Sequence, residues 1–255
     1  LIHASVHEGM RMARAPCQNF AHNDVDAAAD AIARWRASGG CGTPWISFET
    51  LYSMDGDVAP VEDFASLAER TGAMLLIDEA HAVGVCGPEG RGLAAHLHGC
   101  DNVVTLVTCG KALGCEGALI LAPTVFRDFL VNRGRSFIFS TAPSPLIAAI
   151  VRESLSIVAG ADDRRERLRQ IIEHAHGRLA PLGIPPSGTH IQPVPIGEDS
   201  RTMRIAEALQ ARGFDIRGIR PPTVPAGTAR LRISLTLNID EAAVSELATA
   251  LEDLL

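Results

Sequence analysis

The sequence predicts an α/β fold: a large unit on a mostly parallel sheet flanked by helices, then a smaller α+β unit at the C-terminal end. Three observations predict it. Ala73 to Ile77 and Val103 to Val107 are continuous apolar runs, as in strands buried on both faces. Helix-patterned stretches separate such runs, the order expected of crossovers in a parallel sheet. Past Pro143 and Pro145 the pattern becomes helical and charged, and shorter strands and helices follow it.

In chain order, Val25 to Ser38 has apolar residues at helical spacing, with Asn23 and Asp24 before it as capping candidates. Trp45 to Phe48 is a short strand. Pro60 to Thr71 is a helix whose apolar side is Val61, Phe64, Leu67 and Ala68. Ala73 to Ile77 is a strand that ends at Asp78, Val103 to Val107 one that ends at Thr108, and Ala118 to Leu121 a further strand. Leu146 to about Gly177 reads as a connecting helix. Beyond it, strands are expected at Ile191 to Ile196, Asp215 to Ile219 and Arg230 to Leu235. Helices are expected at Ser200 to Arg212, with Ser200 as N-cap and Gly213 as the C′ glycine, and at Asp240 to Leu254. The expected domains are 1–145, a connecting region 146–178, and 179–255.

Charge and composition narrow the function. Lys+Arg 23 against Asp+Glu 30 gives a net charge of -7, with no basic block, and aromatic residues are 4% of the chain. Neither nucleic acid nor an anionic membrane is the expected partner. No apolar run reaches the roughly eighteen residues of a membrane span. Six cysteines (Cys17, Cys41, Cys86, Cys100, Cys109 and Cys115) contain no CxxC pair, which suits reduced thiols in a cytoplasmic protein. His96 and His98, and His174 and His176, form H-x-H pairs, but no third ligand accompanies them and no metal site is expected. The start, Leu1-Ile2-His3, has neither an initiator Met nor a signal-like segment, so the chain is expected to be a fragment of a longer polypeptide.

The chemistry-bearing residues lie at strand ends. In parallel sheets ligands gather at the carboxyl ends of strands. Asp78 ends one strand and is followed by His81; Thr108 ends another and is followed by Lys111. A carboxylate, an imidazole, a hydroxyl and an amine in one crevice are what pyridoxal 5'-phosphate requires. The amine binds the cofactor's aldehyde, the carboxylate keeps the pyridine nitrogen protonated, and the imidazole bonds the phenolic oxygen. The run Leu75 to His81 also reads as the acidic strand end of a helicase-type ATPase. That reading needs a preceding G-x-x-x-x-G-K-[ST], whereas Gly110-Lys111 follows the acidic run and precedes Ala112.

Specific wording supports the first reading. Ile77-Asp78-Glu79-Ala80-His81, the glycines Gly84, Gly87, Gly90 and Gly92, and Thr108-Cys109-Gly110-Lys111-Ala112-Leu113-Gly114 resemble the α-oxoamine synthases. So do His3-Ala4-Ser5, His22-Asn23-Asp24, Ser53-Met54-Asp55-Gly56-Asp57, Phe139-Ser140-Thr141 and the run Ile219 to Arg232; the likeness covers essentially the whole chain. The resemblance implies a fold-type I pyridoxal phosphate transferase that condenses an amino acid with an acyl thioester, carried on coenzyme A or on an acyl carrier protein. Within the family, the run Ile219 to Arg232 points to L-alanine and a pimeloyl thioester; glycine or serine with another acyl group is the alternative, as is an inactive fragment acting only as an interaction module.

By the same resemblance, Lys111 matches the Schiff-base lysine that also moves the proton at the substrate Cα, Asp78 the pyridine-nitrogen partner, and His81 the group on the phenolic oxygen. His3 matches the imidazole stacked on the cofactor ring, Ser53 a polar contact near the phenolic oxygen, and Thr108 a residue beside the phosphate. Ser140 and Thr141 match residues that reach the phosphate of a neighbouring subunit, which implies a homodimer with shared active sites; read by themselves they are also candidate caps for the following helix. Arg232 matches the arginine that grips the substrate carboxylate, and Arg220 and Thr223 lie in the run assigned to the acyl substrate. Three positions depart from the family's pattern. Ala82 stands where Gly or Ser is usual, Glu116 where Ser is common, and Ser144 where Pro is found. Family chains also extend further at the amino end, with glycine-rich segments that help bind the phosphate.

Overall fold

The computed structural model describes residues 1–255. They form two compact units, one of residues 1–52 and 58–162, the other of residues 53–57 and 163–255. The division at Asp162 falls within the stretch 146–178.

In the first unit, helix α1 (Ala4–Ala13) is followed by α2 (Val25–Ala37), which starts where the Asp24 carboxylate accepts the Ala27 amide at 2.8 Å. Strand β1 (Trp45–Glu49), helix α3 (Val61–Thr71) and strands β2 (Met74–Asp78), β3 (Val103–Thr108) and β4 (Ala118–Leu121) follow. The sheet order is β1-β2-β3-β4, and β1, β2 and β3 are parallel. Strand β4 is antiparallel to β3, with Thr108 opposite Ala118. The cause is chain length: residues 109–117 are too few for a crossover, which needs a dozen or more.

The apolar side of α3 packs as its spacing demands. Phe64, Leu67 and Ala68 are buried in one cluster with Ile46, Phe48, Leu75, Ile77 and Val103, and the Phe48 and Phe64 rings stack at 4.7 Å. Burial of each large side chain contributes about 1.5–3 kcal/mol. A second cluster of Val83, Val107, Cys109, Leu113 and Val151 lies under the chain that leaves β3. Helices α4 (Thr124–Arg133), α5 (Arg135–Ile138) and α6 (Pro145–Ala159) complete the unit. They leave Phe129, Phe137, Phe139 and Leu146 exposed.

The sequence reads as one helical stretch from Leu146 to about Gly177, but the chain forms two helices. Gly160 ends α6, and α7 (Asp162–Leu179) begins on Asp162 and Asp163, negative charges suited to a helix N-terminus.

The second unit contains most of α7, then β5 (Ile191–Gly197), α8 (Asp199–Ala211), β6 (Arg217–Ile219), β7 (Ala229–Ser234) and α9 (Glu241–Glu252). Its antiparallel sheet has the order β5-β7-β6, and α8 lies against all three strands. Leu231, Ile233, Ile205, Leu209, Leu247 and Leu251 are among its buried residues. Asp240 caps α9 by accepting the Ala243 amide at 2.9 Å. Ser200, expected as the cap of α8, is instead its second residue: Glu198 occupies the cap, where its carbonyl accepts the Thr202 hydroxyl at 2.8 Å. No helix of the chain is long and apolar enough to cross a membrane.

Candidate active site

Parallel pairing fixes where β2 and β3 end. Asp78 lies opposite Leu106, and the Glu79 amide donates to the Leu106 carbonyl at 2.9 Å, so both strands leave the sheet at the same edge. Asp78 is 8% exposed, and its Oδ1 accepts the Ala80 amide at 2.9 Å, a side-chain bond that turns the chain as it leaves the strand. The turn is closed by the Ala82 and Val83 amides, both donating to the Glu79 carbonyl at 3.0 Å. His81 is thus held half-buried between Asp78 and Glu79 on one side and the buried Ala82 and Val83 on the other. Ala82, one of the departures from the family pattern, is fully enclosed.

Lys111 lies in a tight loop after β3. The Cys115 amide donates to the Cys109 carbonyl at 2.8 Å, the Cys109 amide to Gly117 at 2.9 Å, and the Gly114 amide to Lys111 at 3.0 Å. The Gly110 amide reaches Thr108 Oγ1 at 3.4 Å. Cys109 and Leu113, 1% and 3% exposed, anchor the loop in the second apolar cluster, and Lys111 stands exposed between them. It is the only lysine in the sequence. Gly84 has φ +86°, and a methyl there would sit 2.4 Å from the Ala112 Cβ. The loop after His81 therefore touches the loop bearing Lys111, and the first unit gathers Asp78, His81, Thr108 and Lys111 at one sheet edge.

Other predicted residues of this unit lie on its surface. His3 is exposed and caps α1, its Nδ1 bonded to the Ser5 hydroxyl at 2.8 Å and accepting the Ser5 amide at 3.3 Å. Ser140 and Thr141 are exposed, and the Ser140 hydroxyl donates back to the Ser136 carbonyl. The cap of α6 is Ser144, which accepts the Leu146 amide at 3.2 Å. This gives a use to Ser144, where the family resemblance leads one to expect Pro. Glu116 is exposed.

The second unit holds the remaining residues. Arg232 is half-buried; its Nε donates to the Ser53 carbonyl at 2.5 Å and its Nη1 to the Ser234 hydroxyl at 3.0 Å. Arg230 pairs with Asp55, and the Thr189 hydroxyl donates to the Gly56 carbonyl at 2.9 Å. A methyl on Gly56 would lie 2.1 Å from the Ile191 oxygen, so residues 53–57 are strapped closely to this sheet. Burial holds both guanidinium groups below their ordinary pKa. It also pushes His190 down to about 4, aided by the charge of Arg232. Arg220 and Thr223 are exposed in the turn between β6 and β7, where the Thr223 amide donates to the Arg220 carbonyl at 3.0 Å.

Two buried groups were missed from sequence. Glu79, a carboxylate one step beyond an apolar strand end, does carry a usable signal. His190 carries no sequence signal. No three or more His, Cys, Asp or Glu side chains are grouped to hold a metal ion.

Comparisons with known proteins give the family and the fold. The family model described as aminotransferase class I and II matches residues 1–251. An 8-amino-7-oxononanoate synthase of Bordetella petrii is 41% identical over 259 residues, covering 100% of this chain and 64% of its own. One of Burkholderia thailandensis is 44% identical, covering 98% of this chain and 64% of its own. The chain therefore spans less than two thirds of these relatives. Among solved structures, a serine palmitoyltransferase of Sphingomonas wittichii superposes with TM-score 0.90 at 26% identity, over 99% of this chain and 64% of its own. An 8-amino-7-oxononanoate synthase of Francisella tularensis gives TM-score 0.82 at 23% identity, over 99% of this chain and 72% of its own, a likeness of fold.

Proposed function

Because this chain belongs to the class I and II aminotransferase family, whose members are pyridoxal phosphate enzymes, we propose that it acts in a decarboxylating acyl transfer of the 8-amino-7-oxononanoate synthase type. L-Alanine and a pimeloyl thioester are the substrates, and the product is the amino ketone of biotin synthesis. The observation that carries the reading is the placement of Asp78 at the end of β2 and of Lys111 just past the end of the adjacent parallel strand β3, with the His81 and Lys111 loops in contact. The donor set fits the cofactor: an amine, a buried carboxylate, an imidazole and a hydroxyl at one sheet edge.

Bound there, pyridoxal phosphate supplies an electron sink for the pair left at the amino acid Cα. Asp78 holds the ring nitrogen protonated, and burial strengthens that pairing. Lys111 would hold the cofactor aldehyde and move the Cα proton. His81 would bond the phenolic oxygen, Thr108 would serve the phosphate, and His3 would be the imidazole for the ring. By the family resemblance, Arg232, whose planar fork suits a carboxylate, is the candidate for the substrate carboxylate, Ser53 for a contact near the phenolic oxygen, and Arg220 and Thr223 for the acyl substrate. His81 and Arg232 stabilise charge that develops on the reacting groups. Ser140 and Thr141 would serve the phosphate of a second copy of the chain; the exposed Phe137, Phe139 and Leu146 beside them support such an interface. Six cysteines without a CxxC pair support a cytoplasmic setting for this activity.

The test is a titration with pyridoxal phosphate followed by borohydride reduction. Wild type is expected to gain a visible band and one covalent cofactor at Lys111, and Lys111→Ala to gain neither. Because Lys111 is the only lysine, intact and peptide masses give a single answer. L-Alanine, but not glycine, is expected to perturb the band, and pimeloyl-CoA and a pimeloyl carrier protein are then compared as acyl donors. Label on the N-terminal amine alone, with none on Lys111, rejects the reading.

A further inference from the structure

Glu79 is 0% exposed, and no part of the proposed chemistry uses it. Its oxygens meet donors. Oε2 accepts from Thr50 Oγ1 at 2.7 Å and the Leu93 amide at 3.2 Å; Oε1 accepts the Ala94 amide at 2.5 Å. A protonated carboxyl needs an acceptor for its own hydrogen, and two of these three partners are N–H groups that only donate. The arrangement suits a carboxylate, for which such charge-assisted bonds are the strong ones. Burial nonetheless raises its pKa; the bonds from Thr50, Ala94 and Leu93 counter this, and the nearby charge of Asp78 adds to it.

The three partners come from separate stretches of the first unit. Thr50 follows β1, whereas Leu93 and Ala94 end the glycine-rich loop that starts after His81. The Glu79 main chain adds a bond to Leu106 in β3 and accepts the Ala82 and Val83 amides of the His81 turn. There is no slack at the far end of the loop. Gly92 has φ +100°, and a methyl there would lie 2.6 Å from the Glu79 carboxylate.

We propose that Glu79 is a positioning residue: a buried carboxylate that locks the end of the 84–94 loop to the exits of β1 and β2 and so fixes the directions of Asp78 and His81. The proposal rests on the function proposed above. Asp78 precedes Glu79 directly, and His81 sits in the turn that closes on the Glu79 carbonyl. Glu79 acts through these two neighbours. Releasing the clamp frees the loop at its far end, while the β2–β3 pairing remains.

The experiment compares wild type with Glu79→Gln, Glu79→Asp and Thr50→Val. Amide hydrogen exchange over 84–94 is measured without added cofactor. Ellipticity in the cofactor band per bound pyridoxal phosphate, which reports the ring's orientation, is measured at saturation alongside the melting temperature. Gln keeps the volume but turns an NH2 toward amide donors, so exchange at Leu93 and Ala94 is expected to quicken tenfold or more, on the order of one lost charged hydrogen bond. The ellipticity per bound cofactor falls with it. Asp keeps the charge and recovers part of both signals; Val at 50 removes one of three donors and gives a smaller change. If Gln does not fold, Thr50→Val decides by the same two signals. Wild-type exchange at Leu93 and Ala94 in the variants, or a lowered melting temperature with unchanged ellipticity, overturns the proposal. A wild-type chain with no cofactor band overturns the proposed function, and the positioning role with it; a normal wild-type band with unaltered variants overturns the role of Glu79 alone.

Discussion

His190 makes the second unit sensitive to acid, and the size of the effect follows from its surroundings. Its main chain is fixed by the Leu235 amide, which donates to its carbonyl at 2.8 Å, while its Nδ1 is buried with no hydrogen-bond partner. Burial, and then the charge of Arg232, push its pKa from 6.5 to about 4. The folded state therefore holds fewer protons than the unfolded chain between pH 6.5 and about 4. Stability rises with pH across that window and is lost as pH falls through it. Between pH 7.5 and 4.5 the linkage amounts to at most about 2.5 kcal/mol, less whatever solvent at the half-buried ring screens. His190→Phe keeps a ring and removes the titration. Urea unfolding followed by far-UV circular dichroism at the two pH values is expected to show wild type losing about 2 kcal/mol more than the variant. Groups that titrate in both proteins cancel in the difference. Equal losses, or an imidazole midpoint near 6 by NMR for the signal that vanishes in the variant, would refute the reasoning.

The loop carrying Lys111 offers two further tests. Leu113→Ala empties a site that is 3% exposed and is expected to cost about 2–5 kcal/mol in chemical denaturation, with faster amide exchange at Gly114 and Cys115. Gly84→Ala puts a methyl 2.4 Å from the Ala112 Cβ at φ +86°, and is expected to destabilise by about 1–2 kcal/mol or more. Ala112→Gly in that background should relieve the clash but not the backbone strain; full recovery would show that φ matters little there.

What the sequence disclosed was local. The strands β2 and β3 were readable because burial on both faces leaves an unbroken apolar run, and α3 because Phe64, Leu67 and Ala68 share one side. Helices α1, α4 and α5 bury no residue, and apolar side chains of α4 such as Val125 and Phe129 stay exposed. The antiparallel direction of β4 was legible in principle, since nine residues cannot make a crossover. Residues such as Asp78 and Lys111 announced themselves by chemistry at strand ends. The support around them did not: Thr50 meets Glu79, and Arg232 meets Ser53, only because distant segments fold together. The grouping of residues 53–57 with the second unit depends on such pairs, Arg230 with Asp55 among them.

Lys111 is the one lysine of the chain. Every other Lys-or-Arg position in the chain is an arginine, including the partly buried Arg230 and Arg232. Arginine is the better residue for bidentate recognition and for holding a charge where burial opposes it, and it stays protonated. What it does not provide is an amine that can lose its proton and add to a carbonyl. The chain has that group once, between Gly110 and Ala112, on a loop pinned at both ends by buried side chains. A surface position needing only positive charge would be served equally by arginine. Lys111→Arg therefore separates the two uses of residue 111: charge and loop geometry persist, and the covalent cofactor is expected to vanish as completely as in Lys111→Ala.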